Sequence, residues 1–254
     1  MANAEGTPIW YELLTTDAEG AQRFYADVVG WSIAPSGMEG TGDYRILTAP
    51  DGQGVGGLMT LPDGAPMKPG WLCYISVRDV DSMAEKIKSL GGSVHRGPED
   101  IPGVGRFAMV ADPQGLMFYI MRGDSPQDPQ AFHVTAPGHC GWNELVTSDH
   151  EAALAFYGEV FGWRNQETMP MGEMGEYCFI DHIGQRIGAT MTAGAGWTTR
   201  STYYFNVPSI DAAVPKITSN GGTVTMGPHE VPGGMHIVMG IDPQGAAFAL
   251  VGGR

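Results

Sequence analysis

The chain is a repeat of itself, and no other property limits so sharply the folds open to it. Residues 10–31 read WYELLTTDAEGAQRFYADVVGW, and residues 142–163 read WNELVTSDHEAALAFYGEVFGW. With position 10 set against 142, Trp, Glu-Leu, Thr, Asp, Phe-Tyr, Val and Gly-Trp fall in register. Further on, Gly91-Gly92 answers Gly221-Gly222, and Ile101-Pro102-Gly103 answers Val231-Pro232-Gly233. Asp112-Pro113-Gln114-Gly115 then answers Asp242-Pro243-Gln244-Gly245, at a slightly shorter offset, so small insertions separate the blocks. Between the halves, GDSPQDPQAFHVTAPG (123–138) is punctuated by Pro and lacks periodicity, which reads as a linker. A chain of 254 residues has room for two domains of ordinary size.

Each half divides once more. Residues 9–14 alternate as a strand, and a helix start follows at Thr16. Thr16-Asp17-Ala18-Glu19 and Ser148-Asp149-His150-Glu151 both fit a capping box, in which hydroxyl and Glu satisfy free amides reciprocally. Phe24, Tyr25 and Val28 share one helical face, and Gly30 ends the helix. Short strands follow around 44–48 and 55–61. The second segment repeats this order, with a strand at 72–77, a helix from Asp81 to Leu90, and Gly91-Gly92 as its cap. Its last two strands, within 107–121 and again within 236–251, are joined by Asp-Pro-Gln-Gly turns. In the matching helix of the second half, Asp211 as N-cap keeps Pro215 in the first turn, where its missing N–H costs little. The chain therefore reads as four copies of strand–helix–strand–strand–strand.

Composition closes several functional classes. Fourteen Lys+Arg against 28 Asp+Glu leave a formal net charge of −14, with no basic cluster of the kind a nucleic-acid partner needs. The same charge repels anionic membranes, and no run of 18 apolar residues exists to span one. The N-terminus MANAEGTPIW lacks a charged segment followed by an apolar one, so no secretory signal is expected, and the default home is the cytoplasm. Cys73, Cys140 and Cys178 are an odd number without CxxC spacing, and Cys73 and Cys178 sit in apolar runs that suit buried structural thiols. None of the seven His shows HxH, HxxxH or HExxH spacing, so a metal site would have to be assembled across strands. His139 and Cys140 are adjacent strand residues that point to opposite faces, which rules out a nucleophile–base pair.

A helix ending in FYxxVxGW, a second helix capped by Gly-Gly, and a final strand entered through DPxG together resemble the vicinal oxygen chelate superfamily. That group includes glyoxalase I, bleomycin-resistance proteins, fosfomycin-resistance proteins and extradiol dioxygenases. The resemblance covers about 8–122 and 139–252, and is narrowest to the bacterial tandem two-domain glyoxalase-like branch. It implies an α+β fold in which four βαβββ modules form two glyoxalase-like domains, each an eight-stranded sheet curled around a cavity. The domains expected are 8–122 and 139–252, joined by 123–138. Modules one and two close on each other, or one closes with four and two with three; both arrangements stay open.

The family's metal is usually held by a His, Gln or Glu on a module's first strand and a Glu on its last. Carried over by motif, the first-strand positions are Trp10 and Trp142, with Leu72 and Thr202 on the second modules. The last-strand positions are Tyr119 and Ala249. None of the six offers the imidazole or carboxylate a catalytic divalent ion requires. No cofactor is therefore expected, a divalent metal being admitted only through an atypical ligand set. Alternation puts Glu12 on the same face as Trp10 and Glu144 on the same face as Trp142; the resemblance implies that this is the cavity face, with Tyr74, Tyr204, Asn206, Met117 and Met121 also facing in.

A carboxylate in an aromatic-walled pocket binds a ligand, serves as general acid or base, or merely fixes its strand. The catalytic candidates are thus Glu12 and Glu144, and the ligand-binding set is Trp10, Glu12, Tyr74, Tyr119, Trp142, Glu144, Thr202 and Tyr204. The leading expectation is a metal-independent binder of a small organic molecule, acting as a monomer whose duplication supplies an internal pseudo-dimer. The rival is a lyase, isomerase or oxygenase of the superfamily with atypical ligands or a Glu base. Two Met- and Gly-rich stretches, 36–44 and 169–177, suit either an adaptable lid or ordinary loop packing.

Overall fold

Among the described residues, sixteen strands and four α-helices repeat one βαβββ order four times. The computed structural model describes residues 3–38, 42–62, 64–65, 67–125 and 129–254. The centre of the first Met/Gly-rich stretch (39–41) and part of the linker (126–128) lie outside the described residues. Module one comprises β1 (Pro8–Thr15), α1 (Ala18–Val28), β2 (Ser32–Pro35), β3 (Arg45–Thr48) and β4 (Gly54–Thr60). Module two has β5 (Gly70–Ser76), α2 (Val80–Ser89), β6 (Ser93–Ile101), β7 (Gly105–Ala111) and β8 (Met117–Gly123). Module three has β9 (Cys140–Thr147), α3 (His150–Phe161), β10 (Thr168–Pro170), β11 (Glu176–His182) and β12 (Gln185–Thr192). Module four has β13 (Arg200–Ser209), α4 (Ile210–Ser219), β14 (Thr223–Val231), β15 (Met235–Ile241) and β16 (Ala247–Gly253). The strands form two open eight-stranded mixed sheets, ordered β2-β3-β4-β1-β5-β8-β7-β6 and β10-β11-β12-β9-β13-β16-β15-β14. The fold is α+β.

The helices start one or two residues away from where the sequence suggests. Asp17 and Asp149, rather than Thr16 and Ser148, are the N-caps, accepting from the Gly20 and Ala152 N–H groups at 2.9 and 3.0 Å. A carboxylate caps as well as a hydroxyl and adds favourable charge at the positive helix end. Asp79 does the same for α2, starting it at Val80. In α4 the cap is Ser209, two residues before Asp211, so Pro215 falls beyond the first turn. There its missing N–H removes one helical bond, and packing of Ile210, Ala213 and Ile217 must offset the loss.

By Cα proximity the chain forms two compact units that interleave along the sequence. One contains Met1–Ile9, Cys73–Asp128 and Asn143–Ser201, hence modules two and three; the other contains Trp10–Leu72, Pro129–Trp142 and Thr202–Arg254, hence modules one and four. The repeated motifs explain the pairing. Tyr25, from the FY motif of module one, donates to Asp242 Oδ2 in the DPQG turn of module four, at 3.1 Å. Tyr157 of module three donates in the same way to Asp112 Oδ2 of module two, also at 3.1 Å. The other carboxylate oxygen of each Asp accepts backbone N–H groups, from Gln114 and Leu116 and from Gln244 and Ala246. Burial pushes both carboxyls up from the ordinary Asp range, while these donors pull the other way. Lys86 Nζ reaches the Glu159 carbonyl of α3 at 2.7 Å, and Lys216 Nζ the Asp27 carbonyl of α1 at 2.9 Å. The GW motifs also fix structure: Trp31 Nε1 donates to Gly138 O at 2.7 Å and Trp163 Nε1 to Gly6 O at 2.8 Å.

Candidate functional site

The site is built from the strand faces turned away from the helices. In module one, odd-numbered Tyr11 and Leu13 of β1 are buried, and Tyr11 meets Tyr203 and Phe205 edge-on, at 5.2 and 6.0 Å. The even-numbered Trp10 and Glu12 therefore share the opposite face. Trp10 is half-buried and its Nε1 donates to Tyr44 Oη at 2.9 Å, while Glu12 is only 2% exposed. Glu12 lies opposite Gly57 of β4, and the Tyr44 hydroxyl fills the space a Cβ on Gly57 would take. A glycine is needed there because the tyrosine comes so close.

Module three repeats the plan. Trp142 and Glu144 alternate on β9, with Trp142 half-buried and Glu144 8% exposed. Tyr177 Oη donates to Glu144 Oε2 at 3.0 Å, and the residue opposite Glu144 is Ala189. Phe179 stands edge-on to Tyr177 at 5.7 Å, and the Arg186 guanidinium lies 4.0 Å over the Phe179 ring. Arg186 also pairs with Glu167 and Asp181, at 2.9 and 3.3 Å.

The second modules carry aromatic faces of their own. Tyr74 of β5 and Tyr119 of β8 are cross-strand partners, stacked at 4.1 Å and 13°. Met109 faces Tyr119 across the sheet, and Phe107 lies 5.9 Å from its ring. In module four Tyr204 pairs with Ala249, and its hydroxyl reaches Met239 Sδ at 3.9 Å. Thr202, on the same face as Tyr204, is 3% exposed, and its Oγ1 is buried with no hydrogen-bond partner among the described residues. An unsatisfied buried hydroxyl costs about 1–3 kcal/mol unless a ligand or solvent meets it.

Asn206 departs from expectation. Its Nδ2 donates to the His133 and His139 carbonyls, at 2.8 and 3.2 Å, so it anchors the segment before β9. His139 is likewise structural, with Nδ1 against Gln130 O at 2.5 Å and Nε2 against Asp51 Oδ2 at 3.0 Å. All three cysteines are buried free thiols, and burial pushes the Cys140 thiol up to about 12, far from a nucleophile's range. Sequence reasoning missed Tyr44 and Tyr177 as members of the site. The signal was an acid-Tyr pair, Asp43-Tyr44 and Glu176-Tyr177, at matched places in both Met/Gly-rich stretches.

A family model of the glyoxalase/bleomycin resistance protein/dioxygenase superfamily matches residues 8–120 and 133–250. The chain belongs to that superfamily. Among its relatives, "Putative glyoxylase CFP32" of Mycobacterium tuberculosis is 31% identical over 97% of this chain and 95% of that protein. "Anthracycline biosynthesis protein DnrV" of Streptomyces peucetius is 30% identical over 98% of this chain and 94% of its own length. Among solved structures, the 2,3-dioxygenase LapB from Pseudomonas sp. KL28 superposes with a TM-score of 0.67 at 14% identity, covering 98% of this chain and 93% of that one. The Mn(II)-bound glyoxalase from Novosphingobium aromaticivorans gives 0.65 at 17%, covering 98% and 83%. At such identities these two show the fold alone.

The six positions that the sequence motifs match to the superfamily's metal ligands carry side chains that do not fit a divalent ion. The Trp10 indole N–H is itself a donor and is bonded to Tyr44. Tyr119 lies flat against Tyr74, and Trp142, Leu72 and Ala249 offer an indole, an isobutyl and a methyl group. Thr202 brings a lone neutral hydroxyl. Such a set suits contact with carbon rings and one or two hydrogen bonds, not coordination of a divalent ion.

Proposed function

We propose that this protein binds a small, flat organic molecule against aromatic–carboxylate strand faces, one in each of the domains 8–122 and 139–252, without the superfamily's metal. The observation that carries this reading is the Trp–Glu–Tyr constellation, Trp10, Glu12 and Tyr44 in one copy and Trp142, Glu144 and Tyr177 in the other. It stands where the family's first metal ligand belongs. Indole and phenol rings present large rigid contact area, and the carboxylates supply the polar anchor that fixes orientation. Tyr74 and Tyr119 in module two, and Thr202 and Tyr204 in module four, are further ligand-binding candidates on the faces of their own modules. Two relatives at 30% identity carry names from anthracycline biosynthesis, and a polycyclic aromatic is the ligand class such walls suit. The protein works as a monomer in the cytoplasm.

The test is a thermal-shift and tryptophan-quenching titration with anthraquinone-type compounds in the presence of a chelator. A ligand at 100 Kd stabilises the protein by about 2.7 kcal/mol. Saturable quenching that Trp10→Ala and Trp142→Ala each reduce is expected; the absence of stabilisation or quenching across a panel of planar compounds overturns the reading. A second reading, Glu144 as general acid or base, draws on its burial and its bond from the Tyr177 hydroxyl. Under it, Glu144→Gln abolishes turnover while keeping affinity.

A further inference from the structure

On the opposite face of β11 from Tyr177, three dissimilar donors converge. His150, the first residue of α3, brings Nε2 to 3.6 Å from Glu176 Oε2. The buried Cys178 thiol completes the group, and all three ligand atoms lie within 4.8 Å of one another. We propose that His150, Glu176 and Cys178 form a binding site for one thiophilic divalent transition-metal ion, with zinc as the reference ion and a fourth position open to water.

The geometry is close to what the ion needs. Tetrahedral zinc with bonds of about 2.0–2.3 Å sets its ligand atoms about 3.3–3.5 Å apart, so 3.6 Å is already near. Glu176 is the exposed, adjustable member, with a side chain 61% accessible, so its carboxylate can turn toward an ion held by the other two. The surroundings also match a ligating histidine. Thr192 Oγ1 lies 2.8 Å from His150 Nδ1; with that nitrogen donating to the hydroxyl, Nε2 keeps its lone pair for the ion. Thr168 Oγ1 donates to Cys178 Sγ at 3.5 Å, which orients the sulfur. The N-terminal end of α3 favours the two anionic ligands. One thiolate, one imidazole and one carboxylate select zinc-like ions over calcium or magnesium.

The repeat supplies an internal control. The corresponding residues of module one are Ala18, Asp43 and Arg45. There a built-in cation does the neutralising: Arg45 pairs with Asp43 at 2.9 Å and reaches Gln22 Oε1 at 2.6 Å and Ala18 O at 3.5 Å. In module three the guanidinium is replaced by a thiol and the alanine by an imidazole, while the acid is kept. A bound metal ion restores the lost positive charge at the same place and ties the start of α3 to β11.

The experiment strips the full chain with a chelator and titrates it with cobalt(II), then zinc(II), reading metal stoichiometry and the thiolate-to-cobalt charge-transfer band. The expected result is one equivalent per chain, a band that zinc displaces, and affinity reduced at least tenfold in His150→Ala and in Cys178→Ser. Glu12→Gln and Glu144→Gln should bind as the parent does. His150→Ala, at a half-exposed position, keeps the test valid should Cys178→Ser fold poorly. No uptake by the parent chain, uptake unchanged in His150→Ala, or uptake abolished by Glu12→Gln or Glu144→Gln overturns the proposal. The last outcome would also place the ion on the aromatic–carboxylate face and sink the metal-free reading of that face.

Discussion

Modules one and three are copies of one another, yet the residue opposite the buried glutamate differs. Gly57 lies opposite Glu12, and the Tyr44 hydroxyl, which accepts the Trp10 N–H, fills the space a Cβ there would take. Ala189, with a methyl group at the matching place, lies opposite Glu144, whose Oε2 accepts from the Tyr177 hydroxyl. Duplication preserved the Trp, Glu and Tyr of each copy and let the strand residue beside the tyrosine change.

The largest effects should come where the copies are alike. A Cβ on Gly56 would run into the Tyr11 carbonyl oxygen, and one on Gly188 into the Asn143 carbonyl oxygen. Backbone cannot move aside without opening the β1–β4 or β9–β12 ladder, so Gly56→Ala and Gly188→Ala should each cost about 3 kcal/mol in urea denaturation. A tolerated change in one copy alone would break the claim of equivalent scaffolds. Next come Trp31→Phe and Trp163→Phe. Each leaves a buried carbonyl, Gly138 O or Gly6 O, without its indole donor, for about 2 kcal/mol apiece by the same measurement.

Smaller effects should appear where the copies differ. Gly57→Ala should displace the Tyr44 hydroxyl from Trp10, at about 1 kcal/mol, because only the end of a side chain must shift. The readout is altered tryptophan emission, and emission identical to the parent's would contradict the explanation. The smallest effect is a pH slope. His182 stands where module one has Ala49, and burial lowers its pKa from the ordinary imidazole value of 6.5. A lowered folded pKa gives stability that is present above 6.5 and lost as pH falls through the lowered value. His182→Ala should flatten the stability–pH curve over that interval, and an unchanged slope would remove His182 as its source.

The repeated blocks made the four modules and their strand order legible, because turn and cap residues act locally. Module pairing was not legible: Tyr25 meets Asp242 across 217 positions, and no local pattern says which DPQG turn serves which FY motif. The cap of α4 was misplaced because Asp211 looks as good a cap as Ser209 when the strand before it is unseen. That Trp10 shares a strand face with Glu12, and Trp142 with Glu144, followed from alternation; their place as site candidates came from the family resemblance. Tyr44 and Tyr177 followed from neither, since each reaches the first strand from a neighbouring segment whose register the sequence leaves undetermined. His150, Glu176 and Cys178 were hidden for the same reason: a helix start and a strand meet there without any motif spacing.

The most direct test of the central claim is calorimetric titration of a planar anthraquinone-type ligand into the chain, once with a strong chelator and once with saturating zinc. Affinity should be the same in both, and Tyr119→Ala and Glu144→Gln should each weaken binding at least tenfold at the site of its own half while the other half still binds. Binding that appears only with the metal would contradict an aromatic–carboxylate face acting on its own.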